Sequence, residues 1–86
     1  VRDRANIVKK IGDLILQNRR ELAIAESNDT GKPISESFDG DIPRAAQNFH
    51  FFAEYAVSIA EECYSPAHNE RHLVVREPSG VAGLIT

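Results

Sequence analysis

Apolar residues recur at three- and four-residue steps through the start of the chain, at Ile7, Val8, Ile11, Leu14 and Ile15. This period predicts helix over residues 2–28. Gly12 lies inside the pattern. Glycine costs about 1 kcal/mol against alanine within a helix, so its presence there points to close packing. Asn18 interrupts the rhythm. Asn18-Arg19-Arg20-Glu21 has capping-box spacing, which starts a second helix carrying Leu22, Ala23, Ile24 and Ala25. Asp29-Thr30-Gly31-Lys32-Pro33 ends it, because Gly31 accepts a left-handed conformation and Pro33 cannot continue a helix. Asp41-Ile42-Pro43 opens a third helix, with Asp41 as N-cap and Pro43 tolerated in the first turn. Ala45, Phe49, Phe52, Ala56 and Ile59 form its apolar stripe, and the pattern carries it to about residue 62.

The pattern then changes. Ser65-Pro66-Ala67-His68-Asn69 is turn chemistry. Residues 71–76 are rich in valine and read as a strand. Pro78-Ser79-Gly80 makes another turn, and the closing run "VAGLIT" is nearly all apolar. Such a run suits a strand covered on both faces in a parallel sheet. Two strands alone are not stable in water, so they need partners.

Composition narrows the picture. The chain has 86 residues, the size of one small domain or of part of a larger one. A chain this short buries only about 60% of its unfolded surface. A single cysteine excludes an internal disulfide as reinforcement. A formal charge of −3 and scattered basic residues argue against a nucleic-acid partner. No apolar run approaches the roughly 20 residues that span a bilayer. No N-terminal signal segment is visible, and a cytoplasmic location is the default expectation.

Few residues carry candidate chemistry. Cys63 follows Glu61-Glu62 near an expected helix C-terminus, and both features oppose a thiolate. His68 and His72 have the four-residue spacing of a helical zinc pair, but they lie in loop and strand. Four extended residues span roughly 13 Å, too far for one metal. His50 precedes Glu54 by four residues, which suggests an ion pair along the helix. Arg44 shares one helix face with Asn48, Phe51 and Tyr55. A guanidinium beside aromatic rings can hold a carboxylate by two parallel hydrogen bonds. The ordinary alternative is pairing of Arg44 with Asp41 or with water.

Three stretches in order carry a resemblance. "RDRANIVKKIGDLILQNRRELAIAESNDTGKP", "IPRAAQNFHFFAEYA" and "VVREPSGVAGLIT" together resemble the N-terminal segment of the NAD(P)-dependent aldehyde dehydrogenase superfamily. The likeness covers essentially the whole chain. It implies an α/β parent with a Rossmann-like cofactor domain, this segment being mainly α-helical with two C-terminal β-strands. It divides the chain into a helical part of the cofactor-binding domain (1–62), oligomerisation-arm strands (63–79) and the first strand of the dinucleotide-binding sheet (80–86). In the family a Pro-Trp-Asn motif follows that strand, so residues beyond Thr86 would cover it.

The implied reaction is oxidation of an aldehyde to an acid with NAD, or alternatively NADP. A cysteine thiolate attacks the aldehyde, hydride passes to the nicotinamide, and a glutamate-activated water hydrolyses the thioester. None of those catalytic groups matches a residue of this chain, and Cys63 does not match the nucleophile, so the segment alone is expected to be inactive. Ile85 and Thr86 match a strand end that borders the cofactor. Asp29 matches a position whose main-chain carbonyl helps bind a monovalent cation in several members. Arg44 matches a position lining the substrate tunnel. An arginine in "IPRA..NF.FFAE" is similar to the group acting on 2-hydroxymuconate, 2-aminomuconate and carboxymethyl-hydroxymuconate semialdehydes, whose substrates carry a remote carboxylate. The resemblance also implies a homodimer or homotetramer. The competing readings are a dehydrogenase of betaine or aliphatic aldehydes, a catalytically silent relative, and a non-catalytic helical interaction module.

Overall fold

Helical periodicity over the first two-thirds of the chain becomes five helical elements. A computed structural model describes residues 1–85. Helix α1 spans Arg2–Gln17 and α2 spans Arg19–Thr30. A second helical run covers residues 34–58. It consists of α3 (Ile34–Glu36), a wide π-turn (Ser37–Asp41) and α4 (Ile42–Ser58). Strands β1 (Glu62–Tyr64) and β2 (His72–Val74) pair antiparallel, with Cys63 opposite Leu73.

Helix α1 packs mainly on α4. Gly12 and Asp13 lie against Ala46 and His50, while Val1 and Arg4 border the same cavity as Ala56 and Ile59, so the two helices run in opposite directions. Small residues make the seam: Ala5 and Gly12 on α1, Ala46 and Ala53 on α4, all buried. A Cβ on Gly12 would stand 2.6 Å from the His50 ring and 3.0 Å from the Ala46 carbonyl oxygen. The close packing expected at Gly12 is therefore present. His50 turns across this seam, and its Nε2 lies 2.9 Å from Asp13 Oδ1 on α1. That replaces the expected pairing with Glu54 on its own helix.

The larger apolar side chains sit beside the seam rather than in it. Ile7 is 63% exposed and Phe52 is 60% exposed. Val8, Phe49 and Phe52 line one shallow depression with Asn48, so the stripes of both helices open on the same side. The chain is correspondingly elongated, with extents of 62 × 22 × 19 Å. Its radius of gyration is 18.9 Å. A compact chain of this length would have about 12 Å.

Helix ends follow local chemistry, with corrections. Asn18 breaks the first helical run as expected, but it does not cap α2. Its Nδ2 donates to the Leu14 carbonyl at 2.8 Å, closing α1 instead. Gly31 takes the left-handed conformation (φ 74°) and its N–H reaches the Ser27 carbonyl, as the sequence predicts. Asp41 is not an N-cap. The second run already starts after Pro33, so Asp41 lies in the helical interior (φ −65°, ψ −48°) and accepts a hydrogen bond from Lys32 Nζ at 2.7 Å. That bond holds the Lys32 ammonium above the ordinary lysine value, against a smaller opposing effect of desolvation.

Pro43 consequently lies inside a helical run rather than at its start. Its ring crowds the preceding turn, and it has no N–H to donate. The π-turn accommodates this: the Ile42 N–H bonds the Ser37 carbonyl, five residues back. Helix α4 ends at Ser58 rather than near residue 62. Ser58 Oγ donates to the Tyr55 carbonyl at 2.8 Å, and Ile59 turns extended (ψ 119°).

Glu62 thus belongs to β1, a strand the sequence reading assigned to a helix end. Its carboxylate accepts from the Tyr64 hydroxyl and, at 2.7 Å, from Arg76 Nη2. Those contacts, the Tyr64 bond first, hold Glu62 below the usual carboxylate value and push the Tyr64 hydroxyl up. Residues 81–85 form no strand, contrary to expectation, and Val81 is fully exposed. Strand hydrogen bonds need a neighbour, and the described residues supply none there. Thr86 lies outside the described residues. No described helix is long and apolar enough to cross a membrane.

Candidate functional site

The seam fixes the orientation of α4. Ala46, His50 and Ala53 face α1, so at 3.6 residues per turn the positions half a turn away face outward. Those positions are Arg44, Asn48, Phe51 and Tyr55, the face singled out by the sequence, and all four are exposed. The Phe51 and Tyr55 rings stack, with centroids 5.9 Å apart and planes 7° apart. Phe51 also meets Phe52 edge to face at 5.2 Å.

Arg44 opens this face about two turns, roughly 10 Å along the axis, from the aromatic stack. The acids close to it in sequence are engaged elsewhere: Asp41 by Lys32 at 2.7 Å and Asp39 by Arg19 at 2.9 Å. Arg44 itself makes no ion pair among the described residues. The expected ordinary partner, Asp41, is therefore taken. An uncommitted guanidinium, an amide and a flat ring surface in line can receive an anionic group together with a planar organic body.

The other candidates stand apart from this face. Asp29 is exposed in the last turn of α2, where main-chain carbonyls lack intrahelical partners. No group of three or more His, Cys, Asp or Glu among the described residues could hold a metal. Cys63 is exposed on β1 beside Glu62. His72 lies on β2 and approaches Glu70 at 3.9 Å, with His68 in the preceding turn. Ile85 is 98% exposed outside any strand, so the described residues form no cradle for a dinucleotide. Thr86, the other expected cofactor neighbour, lies outside them.

Two residues behind the site were missed by sequence reasoning, Arg19 and Lys32, which fasten the segment leading into α4. The signal for Arg19 was its position in the first turn of a helix, where a cation opposes the dipole.

The family model described as "Aldehyde dehydrogenase family" matches residues 1–86. The chain belongs to the aldehyde dehydrogenase family. Among its relatives is a protein called 2-aminomuconic semialdehyde dehydrogenase in Homo sapiens, 41% identical over 85 residues, 98% of this chain and 18% of that protein. The 5-carboxymethyl-2-hydroxymuconate semialdehyde dehydrogenase of Escherichia coli is 36% identical over 86 residues, 100% of this chain and 18% of that protein. The NADP/NAD-dependent aldehyde dehydrogenase PuuC of Escherichia coli (strain K12) is 38% identical over 82 residues, 95% of this chain and 17% of that protein. This aldehyde dehydrogenase chain thus spans about 18% of the length of the curated relatives it matches. No solved structure matches it.

Proposed function

We propose that the chain is part of an NAD-dependent dehydrogenase that oxidises a semialdehyde bearing a remote carboxylate. Arg44 is its carboxylate anchor. The observation that carries this reading is the uncommitted Arg44 guanidinium in line with Asn48 and the Phe51–Tyr55 stack. The names of two relatives, both muconic-type semialdehyde dehydrogenases, support the substrate class. On this reading a bidentate pair with Arg44 holds the far end of the substrate, the rings cover its conjugated body, and the aldehyde is thereby aimed away from α4.

The rest of the chemistry belongs to groups outside this chain: a cysteine nucleophile, and a glutamate that activates water. NAD, or NADP in the alternative, supplies the hydride acceptor when bound, with Ile85 and Thr86 at its border. Residues 1–62 belong with the cofactor domain, 63–79 with an arm that joins two or four copies, and 80–86 with the first strand of the dinucleotide sheet. The Asp29 carbonyl contributes to a monovalent-cation site, and the enzyme works in the cytoplasm.

The test is Arg44→Ala in the full-length enzyme, with steady-state kinetics on a carboxylate-bearing semialdehyde and on a neutral aldehyde. Loss of a charged hydrogen-bonding partner should raise KM for the first by about thirtyfold or more, ~2 kcal/mol. The neutral aldehyde should change by less than about threefold. Equal losses on both substrates would sink the anchor reading.

A further inference from the structure

Pro43 leaves a gap in the main-chain ladder. In the π-turn the Ile42 N–H bonds the Ser37 carbonyl, five residues back. The next bond in that pattern would run from residue 43 to the Phe38 carbonyl, but proline has no N–H. The Ile42 N–H, which would serve Phe38 in an α-helix, is already used. Phe38 is half-buried, where an unmatched carbonyl is costly.

The side chain of Arg19 fills that gap. Its Nε donates to the Phe38 carbonyl oxygen at 2.5 Å. Its Nη2 donates to Asp39 Oδ1 at 2.9 Å, and its guanidinium carbon lies 3.9 Å from the centre of the Phe38 ring. Three contacts thus converge on two successive residues of the π-turn. Nothing in α2 itself calls for Arg19, since a cation in a first turn opposes the helix dipole. The π-turn also needs outside support. It is a rare conformation, and it contains Ser37, which is fully buried with no partner for its hydroxyl among the described residues.

We propose that Arg19 is a positioning residue. It replaces the hydrogen bond that Pro43 cannot donate, holds the π-turn open, and so fixes the start of α4, where Arg44 follows Pro43 directly. The consequence for substrate rests on the carboxylate-anchor reading of Arg44. The structural part does not.

The experiment uses the full-length enzyme with Arg19→Met, Pro43→Ala and the double variant. Methionine keeps an unbranched apolar stem but donates nothing. Pro43→Ala restores a main-chain N–H, which makes the Arg19 donor redundant. Arg19→Met should speed amide hydrogen exchange across residues 38–44 by about tenfold, the effect of one lost charged hydrogen bond. It should raise KM for the carboxylate-bearing semialdehyde by about fivefold and leave kcat and the neutral aldehyde unchanged, a misaimed Arg44 being an error of ground-state binding. In the Pro43→Ala background both effects should shrink to within about twofold. Should Arg19→Met fail to fold, Pro43→Ala should rescue it. Unchanged exchange, an effect equally large without Pro43, or failure of rescue would each overturn the proposal. Failure of the anchor reading alone would look different: exchange would respond to Arg19→Met and recover with Pro43→Ala, while KM moved equally for both aldehydes.

Discussion

Replacing Gly12 by alanine sets two opposed effects against each other. In an exposed helix the change stabilises by about 1 kcal/mol. Here the added methyl would stand 2.6 Å from His50 Cδ2 and Nε2 and 3.0 Å from the Ala46 carbonyl oxygen. The ring must swing away, which breaks its 2.9 Å contact with Asp13. The carbonyl cannot swing, so the helix axes must also part slightly. Overpacking of this kind costs about 1–3 kcal/mol. The lost hydrogen bond adds about 0.5–1.5 kcal/mol. The net expectation is a destabilisation of about 0.5–3.5 kcal/mol, opposite in sign to the helix-propensity effect. Urea unfolding followed by helical circular dichroism should show a lower midpoint at an unchanged slope. Adding His50→Ala removes the ring from the conflict, so Gly12→Ala should cost less in that background. A Gly12→Ala protein more stable than the parent would refute the close seam between α1 and α4.

Two further predictions concern the ion pairs. Because the Asp41 bond raises the Lys32 value, the pair favours the folded state from neutral pH up to the ordinary lysine value of 10.5. That contribution is lost as pH rises through the folded value, so Lys32→Met should flatten the alkaline limb of an unfolding-midpoint profile. Glu62 is depressed, first by the Tyr64 bond and then by Arg76, so its contribution is present above the ordinary carboxylate value of 4.5 and lost as pH falls through the folded value. Tyr64→Phe removes the first cause, and exchange protection of the β1–β2 amides should then begin to fail at a higher pH on acidification.

The sequence was most informative where one element decides its own shape. The period of Ile7, Ile11 and Leu14, the break at Asn18 and the left-handed Gly31 are local features, and they stand where the pattern put them. The outward face of Arg44, Asn48, Phe51 and Tyr55 was legible for the same reason, since helical phase alone groups those residues. Partners chosen across elements were hidden. The bulkiest apolar positions marked the stripe of each helix, but α1 and α4 touch mainly through alanine and glycine because close backbones leave no room for phenylalanine. His50 takes Asp13 from another helix rather than Glu54 from its own. The helix start at Ile34 was masked because its three α-helical residues carry no period of their own, and this made Asp41 look like a cap. Strand β1 is short and polar, and it exists through its pairing with residues eight or more positions away in the chain. Residues 81–85 failed as a strand for the converse reason, because no described neighbour pairs with them.

Helix α4 has 17 residues. At 1.5 Å per residue it is a rod roughly 25 Å long. Arg44 rides near one end, and the other leads within a few residues into the β1–β2 hairpin. Clamped to α1 along a seam made mainly of alanine and glycine, the rod tilts as a whole rather than bending. A tilt of about 2° about the hairpin end would carry the far end through about 1 Å, an error that can cost a hundredfold in rate when it reaches a substrate anchor. If Arg44 is such an anchor, the hairpin acts as a fulcrum: whatever seats it governs the aim of a side chain it never touches.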